Sequence, residues 1–255
     1  MLKIVACYKW VADEADIKIK SDLTVDTAKA KGKISDYDKN AIEAAVQSAK
    51  QLDGKCAGLT FGTSKAKESL KDALSRGLEE AYWINANEAE SADGNVTAKA
   101  LAAALTKIGD VNLVICAEGA SDTYARQTAP RVGAILDWPV ITSVVDLKID
   151  GNTLTAVRRL EKCSETVRAE MPAVVSVLPE INTPTVPGLK ALMAAGKKPV
   201  TEFKSSDLGI DFTPKSSASS IKGFVMDRKN IIFSEGDAAE KAKELASALR
   251  KEGVL

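Results

Sequence analysis

The chain has 255 residues, with 35 Lys+Arg against 35 Asp+Glu and no His. Its length and 45% hydrophobic fraction fit one large α/β domain or a domain with an appendage, and a formal charge of zero supplies no attraction to nucleic acid or an anionic membrane. The lack of His excludes Ser-His-Asp and Cys-His nucleophile pairs, His-liganded zinc and imidazole base catalysis. Lys3 to Tyr8 predicts a first strand, entered at once from the N-terminus. No apolar stretch reaches signal-peptide or membrane-span length, so an unexported, cytoplasmic protein is expected. Ala41, Ile42, Ala45, Val46 and Ala49 recur at helical spacing behind a Ser35-Asp36 cap signal and predict a helix from Asp36 to Lys50. Cys56 to Phe61 reads as a second strand ending at Gly62, Lys65 to Leu74 as a helix closed by Arg76-Gly77, and Ala81 to Ile84 as a third strand. The alternation continues with a helix over Val96 to Ile108, a strand over Val111 to Cys116, a helix over Tyr124 to Leu136 and a strand over Val140 to Leu147. The pattern predicts an α/β, Rossmann-like doubly wound sheet with about five parallel strands.

Beyond Asp146 the texture changes. Asp150-Gly151-Asn152 is a hairpin signal between Val145 to Ile149 and Thr153 to Arg158, and the strand-like runs Glu165 to Ala169 and Ala173 to Val177 extend an expected antiparallel addition. Pro179, Pro184 and Pro187 punctuate an exposed loop before a helix at Leu189 to Ala195, which Lys197-Lys198-Pro199 breaks. From Val200 to about Asp227 the apolar residues are too sparse for a core, so an extended arm is expected. A last strand, Asn230 to Phe233, then precedes an amphipathic helix from Asp237 to Arg250. Cys7, Cys56, Cys116 and Cys163 lie far apart, three of them in or beside apolar runs, and read as reduced core thiols.

An open parallel sheet binds ligands outside the carboxyl ends of its strands. Those ends carry Cys7-Tyr8-Lys9, Phe61-Gly62-Thr63-Ser64 and Ala117-Glu118-Gly119-Ala120-Ser121-Asp122-Thr123. The last loop is rich in small and hydroxyl residues and leads into a helix whose first amides suit a phosphate, which points to a nucleotide; an ordinary strand-to-helix turn is the alternative. Neither a Gly-x-Gly-x-x-Gly fingerprint nor a Walker A sequence is present, which argues against a standard NAD site and a P-loop triphosphatase. No carboxylate cluster or metal-ligand pattern nominates an acid, base, nucleophile or metal, so the chain reads as a non-enzyme.

Four separated motifs carry a resemblance that covers nearly the whole chain. Residues 33 to 45 (Lys-Ile-Ser-Asp-Tyr-Asp-Lys-Asn-Ala-Ile-Glu-Ala-Ala), 73 to 77 (Ala-Leu-Ser-Arg-Gly), 118 to 128 (Glu-Gly-Ala-Ser-Asp-Thr-Tyr-Ala-Arg-Gln-Thr) and 171 to 177 with 181 to 200 resemble the electron transfer flavoprotein β subunit. The similarity is closest to the subgroup associated with anaerobic carnitine metabolism. The resemblance implies an electron-carrier subunit without catalytic residues, paired with an α subunit that carries the electron-transferring FAD. It also implies a site of the chain's own for AMP or a second FAD, and electron exchange with an acyl-CoA dehydrogenase-type enzyme. A stand-alone adenine-nucleotide-binding domain of the same fold is the competing reading.

Carried over by resemblance, the nucleotide contacts are Cys7, then Ser35, Asp36, Tyr37 and Asp38, then Phe61, and a phosphate loop from Ala117 to Thr128 that includes Gly119, Ser121, Asp122, Thr123, Arg126 and Gln127. Amides at Arg126, Gln127 and Thr128 with the Thr128 hydroxyl would cradle phosphate, and Asp122 would fix the loop. Leu189 falls where the family anchors a Leu on its dehydrogenase, supported by Leu192 and Met193; the alternative is a Leu189 that packs inward on its own helix. The resemblance assigns residues 1–199 to a nucleotide-binding domain containing a partner loop at about 180–195, and residues 200–255 to an arm and helix against the α subunit. The chain departs from the family at Val11-Ala12-Asp13, at Ser35-Asp36-Tyr37, at Arg126 and at Val157-Arg158-Arg159. Arg126 would either pair with a diphosphate, favouring FAD, or form an outward salt bridge. Arg158-Arg159 reverses charge where family members approach the α subunit's flavin domain.

Overall fold

The computed structural model describes residues 2–224 and 228–255, so part of the expected arm, 225–227, lies outside the described residues. Contacts divide the chain into two units. One comprises residues 2–18 and 26–221; the other comprises 19–25 with 222–224 and 228–255. The first is built on nine strands: β1 (Lys3–Cys7), β2 (Lys55–Gly62), β3 (Glu80–Asn85), β4 (Leu113–Ala117), β5 (Val140–Asp150), β6 (Thr153–Arg159), β7 (Ser164–Glu170), β8 (Ala173–Val177) and β9 (Val200–Lys204). Their order across the sheet is β7-β6-β5-β8-β4-β1-β2-β3-β9. The chain runs outward from β1 through β2 and β3 on one side, then returns to β4 on the other, which makes the doubly wound fold and puts its switch point between β1 and β4.

Strand periodicity separates two cores. On β1, Ile4 and Ala6 face one side, with α1 (Asp36–Gln51), α2 (Glu68–Ser75) and α5 (Leu189–Ala195), while Val5 and Cys7 face the other, with α3 (Gly94–Ile108) and α4 (Thr128–Leu136). Each fully buried Ile or Leu, such as Ile4, Leu59, Leu113 or Ile115, contributes about 1.5–3 kcal/mol. The helices start and stop where backbone chemistry dictates. The Asp93 carboxylate accepts from the Asn95 and Val96 amides to open α3, and Gly109, at φ +66°, closes it.

The structure corrects several sequence-based expectations. Ala173–Val177 is not antiparallel decoration: β8 is inserted between β4 and β5, parallel to both. All five of its residues are buried, as a central parallel strand requires. The expected strands at Val140 to Leu147 and Val145 to Ile149 are one strand. The first half of β5 pairs in parallel with β8 and its second half is antiparallel to β6. Val200–Lys204 leaves the expected arm to pair in parallel with β3 at the sheet edge, and the following short α6 (Ser205–Leu208) buries Leu208. By contacts the first unit runs on through residue 221, because sparse apolar residues suffice for a strand that borrows its hydrogen bonds from an existing edge.

In the second unit, Thr24 and Lys222 form an antiparallel bridge and the Gly223 amide donates to the Leu23 carbonyl at 2.7 Å. Its helix α7 (Ala238–Lys251) opens with a reciprocal capping box between Asp237 and Glu240, and none of its residues is buried. The strand expected at Asn230 to Phe233 is not formed. Ile231 and Ile232 are exposed, and among the described residues no strand edge completes their ladder. No described helix is long and apolar enough to cross a membrane.

The packing of α4 on the sheet leaves no room at Gly133, where an added Cβ would lie 2.1 Å from Cγ2 of Val140 and 3.3 Å from the Trp138 carbonyl. Gly133→Ala is expected to lower stability by about 1–3 kcal/mol despite its better helix propensity. Urea denaturation provides the check, and an unchanged or raised midpoint would contradict this packing.

Candidate functional site

Beside the switch point, β1 and β4 run in register, Ala6 opposite Ile115, and both end at a small cavity of about 130 Å³. β1 contributes Cys7 with the following Tyr8 and Lys9; β4 contributes Cys116 and Ala117 with the following Gly119 and Ala120. Phe61 enters from β2, Asp38 from α1, Thr97 and Leu101 from α3, and Thr128 from the first residue of α4. An outer, larger cavity of about 680 Å³, within the ~300–1,000 Å³ span of small-molecule sites, continues from the same Lys9, Gly119 and Thr128, bounded by Asp122, Thr123, Arg126, Gln127 and Ser216. The inner part holds Phe61, Leu101 and two thiols beside Asp38 and Lys9; the amide and most of the charged side chains, Asp122, Arg126 and Gln127 among them, border the outer part. Such a site suits a small ligand that reaches from one part into the other.

Two side chains at the start of α1 hold the cavity together. Ser35 occupies the N-cap position, yet its hydroxyl does not cap its own helix; it accepts from the Ser121 amide at 3.1 Å and so ties the loop after β4 to α1. Asp38 is buried beside the ends of β1 and β4, and its carboxylate accepts from the Lys9 amide at 2.8 Å; the Ala117 amide also favours its charged form. Burial, reinforced by the Asp122 charge and opposed by these amides and the Lys9 charge, pushes the Asp38 carboxyl up to about 7. Cys7 and Cys116 follow the last registered pair of these strands on the same sheet face. The hydrogen bond to Cys7, with burial, raises the Cys116 thiol well above its ordinary value.

The helix expected from Tyr124 begins only at Thr128, because Tyr124 and Arg126 adopt left-handed backbone, φ +45° and +57°, which breaks a right-handed helix. The helical N–H groups without an intrahelical partner therefore belong to the turn starting at Thr128. Glu118 organises the irregular stretch. It accepts from the Tyr124 hydroxyl at 3.2 Å and from Ser143 at 3.4 Å, and pairs with Arg126 at 3.6 Å. Ser143 reaches it from a bulge in β5, at φ +60°, where the register with β8 shifts. Arg126 also lies over the Tyr124 ring, 4.9 Å from its centroid, and Tyr124 contacts Tyr37 at 5.0 Å. Lys9 and Asp122 form an ion pair across the outer cavity.

Of the positions nominated from sequence, Cys7, Asp38, Phe61, Ala117, Gly119 and Thr128 line the inner cavity, and Asp122, Thr123, Arg126 and Gln127 the outer one. Ser35, Tyr37 and Ser121 act one step back, through the loop contacts just described. Asp36 is not brought in; its carboxylate faces Lys33 and Lys39 at the surface. Sequence reasoning missed Ala89, Ala92, Thr97 and Leu101. The signal was available, since the carboxyl end of β3 leads directly through this segment into the Asp93-capped helix.

A family model described as the electron transfer flavoprotein domain matches residues 22–208, more than half of the chain. The chain belongs to the electron transfer flavoprotein family. Members of the electron transfer flavoprotein family are electron carriers rather than catalysts, and their name implies flavin involvement.

The Asp38 carboxyl gives the site a pH signature. Its folded value of about 7 lies above the ordinary 3.8, so between these values the folded protein retains a proton that the unfolded chain has released. The contribution of this group to stability is full below the lower value and is lost as pH rises through the upper one. Comparing urea midpoints at pH 5 and pH 8, Asp38→Asn is expected to lose less stability over this interval than the wild type. Identical pH dependence in the two proteins would refute the assignment.

Proposed function

We propose that this chain is the β subunit of a heterodimeric electron transfer flavoprotein acting in the cytoplasm, and that the cavity at its switch point holds an adenine nucleotide, AMP or a second FAD. The observation that carries this reading is the convergence of three strand ends and the start of α4 on one cavity that continues into a larger outer one. The donor set fits a nucleotide. An adenine would lie among Phe61, Leu101 and Ala117, and phosphate would meet the Thr128 hydroxyl and the first amides of α4, where the helix dipole favours negative charge. Asp122 keeps Lys9 at the rim and Glu118 holds Arg126, so a bound diphosphate would draw these cations from existing carboxylate partners. Those pairs favour neither nucleotide. The α subunit would supply the electron-transferring FAD, whose redox chemistry is the flavin's own; the residues of this chain bind, orient and shield.

The second unit supports an obligate partner. Phe224, Ile231, Ile232, Leu245, Val254 and Leu255 are exposed on a segment too poor in apolar residues to cover them, the composition of a surface completed by another chain. In this reading the partner is the α subunit. On the first unit, Val186, Leu189 and Met193 are exposed while Leu192 is half-buried beneath them. Leu189 is 75% exposed, which disfavours an inward staple and suits an anchor for an acyl-CoA dehydrogenase-type partner. In this proposal Arg158 and Arg159, paired with Glu165 and Glu180, lie near the approach of the α subunit's flavin domain.

The nucleotide assignment is tested by purifying the chain with its co-expressed α subunit, denaturing the complex and quantifying released AMP and FAD. One nucleotide beyond the α-subunit FAD is expected for the wild type, and Thr128→Leu should abolish its retention by filling the phosphate end. An unchanged nucleotide content in that variant would count against the site. For the partner surface, Leu189→Ala is expected to slow electron transfer to an acyl-CoA dehydrogenase by roughly tenfold or more, with flavin content unchanged. A lowered melting temperature without a kinetic defect would instead make Leu189 a structural residue.

A further inference from the structure

The carboxylate of Asp93 makes more hydrogen bonds than a helix cap needs. Its Oδ1 accepts from the Asn95 and Val96 amides at 3.0 and 2.8 Å, the ordinary capping contacts of α3. Its Oδ2 accepts from the Lys215 amide at 2.8 Å, the Ser216 amide at 3.1 Å and the Ser216 hydroxyl at 3.3 Å, residues more than a hundred positions away in sequence. The Val96 amide above all, with those of Lys215 and Ser216, draws the Asp93 carboxyl down to about 2, so the fork stays ionised at physiological pH.

The segment that the fork holds is pinned at a second place. After Leu208, buried against the α3 side of the sheet, the Phe212 ring packs on Phe61 with centroids 6.2 Å apart, and Phe61 is itself a wall of the inner cavity. Between these anchors the Asp211 carboxylate accepts from the Thr213 amide at 2.9 Å and turns the chain. Beyond the second anchor, Ser216, Ser217 and Ala218 line the outer cavity together with Asp122, Arg126 and Thr128. Residues 211–218 thus cross the ligand site as a strap fastened to one cavity-lining side chain and to the cap of a cavity-lining helix.

We infer that this strap controls release of the bound nucleotide and that Asp93, with Phe212, is the positioning residue that holds it shut. The inference rests on the nucleotide reading proposed above and adds to it the element that sets residence time. A ligand in the outer cavity lies against the Ser216–Ala218 wall, and opening that wall costs the charge-assisted hydrogen bonds to one carboxylate oxygen.

The chemistry of asparagine separates strap from cap. Asp93→Asn keeps one oxygen for the Asn95 and Val96 amides, and Asn caps helices about as well as Asp, but its NH2 group is a donor and cannot accept from Lys215 and Ser216. The complex with the co-expressed α subunit is loaded with labelled AMP in one arm and labelled FAD in another, and dissociation is followed after an excess of unlabelled nucleotide. Asp93→Asn is expected to release the bound nucleotide about tenfold faster, with unchanged stoichiometry at saturation and an unchanged melting temperature in the nucleotide-free state. Asp93→Ala should add a lowered melting temperature, having lost the cap as well. Phe212→Ala, which leaves the cap intact, should also speed release and keeps the question open to disproof if the Asp93 variants fail to fold. Release rates within twofold of wild type for Asp93→Asn and Phe212→Ala, in complexes that do hold nucleotide, overturn the strap alone. A wild-type complex that binds neither AMP nor FAD in this cavity overturns the nucleotide reading and the strap with it.

Discussion

Parallel strands that lead away to opposite sides of a switch point leave their carboxyl ends without a common partner, and here one buried carboxylate supplies it. Asp38 accepts from the Lys9 amide just beyond β1, and the Ala117 amide at the end of β4 also favours its charged form. It thereby stands between the two walls of the inner cavity. Removing this carboxylate from water opposes its ionisation, and its burial and the geometry of the site are one constraint. Ser35, three residues earlier, repeats the device at the next level by giving its hydroxyl oxygen to the Ser121 amide instead of to its own helix. The start of α1 is therefore less a helix terminus than a bracket on which the loop after β4 hangs.

The loop itself is shaped by local backbone strain offset by polar contacts. Left-handed Tyr124 and Arg126 cost about 1–2 kcal/mol each for L-residues, and the shape persists because Glu118 takes Tyr124, Arg126 and Ser143 as partners together. Ser143 reaches Glu118 only because β5 bulges where it passes from parallel pairing with β8 to antiparallel pairing with β6. The antiparallel extension of the sheet thus acts on the site at long range. The cavity depends on a strand whose far half takes no part in it.

Charge near the cavity is largely self-paired. Lys9 with Asp122 and Arg126 with Glu118 leave the outer cavity without a free excess of positive charge, so an anionic ligand would be recognised by amides, a hydroxyl and rearranged pairs rather than by a strong basic field. Among the charged residues that line the outer cavity, Lys9 and Arg126 face Glu90, Asp93 and Asp122. Apolar character left on the surface is concentrated instead at Val186, Leu189 and Met193 and on the C-terminal segment, where water contact is costly unless another protein covers it.

Local pattern carried much of the fold. The alternation of β-branched runs with Ala-rich helices determined the α/β class, the helices α1 and α3, and the strand ends Cys7, Phe61 and Ala117 at which the cavity lies, because burial of one helix face and both sheet faces leaves a period that the residues themselves display. Partner choice is not periodic, and tertiary structure alone decided it. Ala173–Val177 reads as one more strand beside a hairpin, yet it lies between β4 and β5, since the neighbours of a strand are selected by distant edges with unpaired amides. For the same reason Val200–Lys204 became a sheet edge, while Asn230–Phe233, with a more strand-like sequence, found no edge and remained irregular. Tertiary structure likewise carried Ser216 to Asp93, and held Tyr124 and Arg126 out of the helix that their neighbours favour. Hydrogen bonds between residues far apart in the chain leave no periodic trace in the sequence.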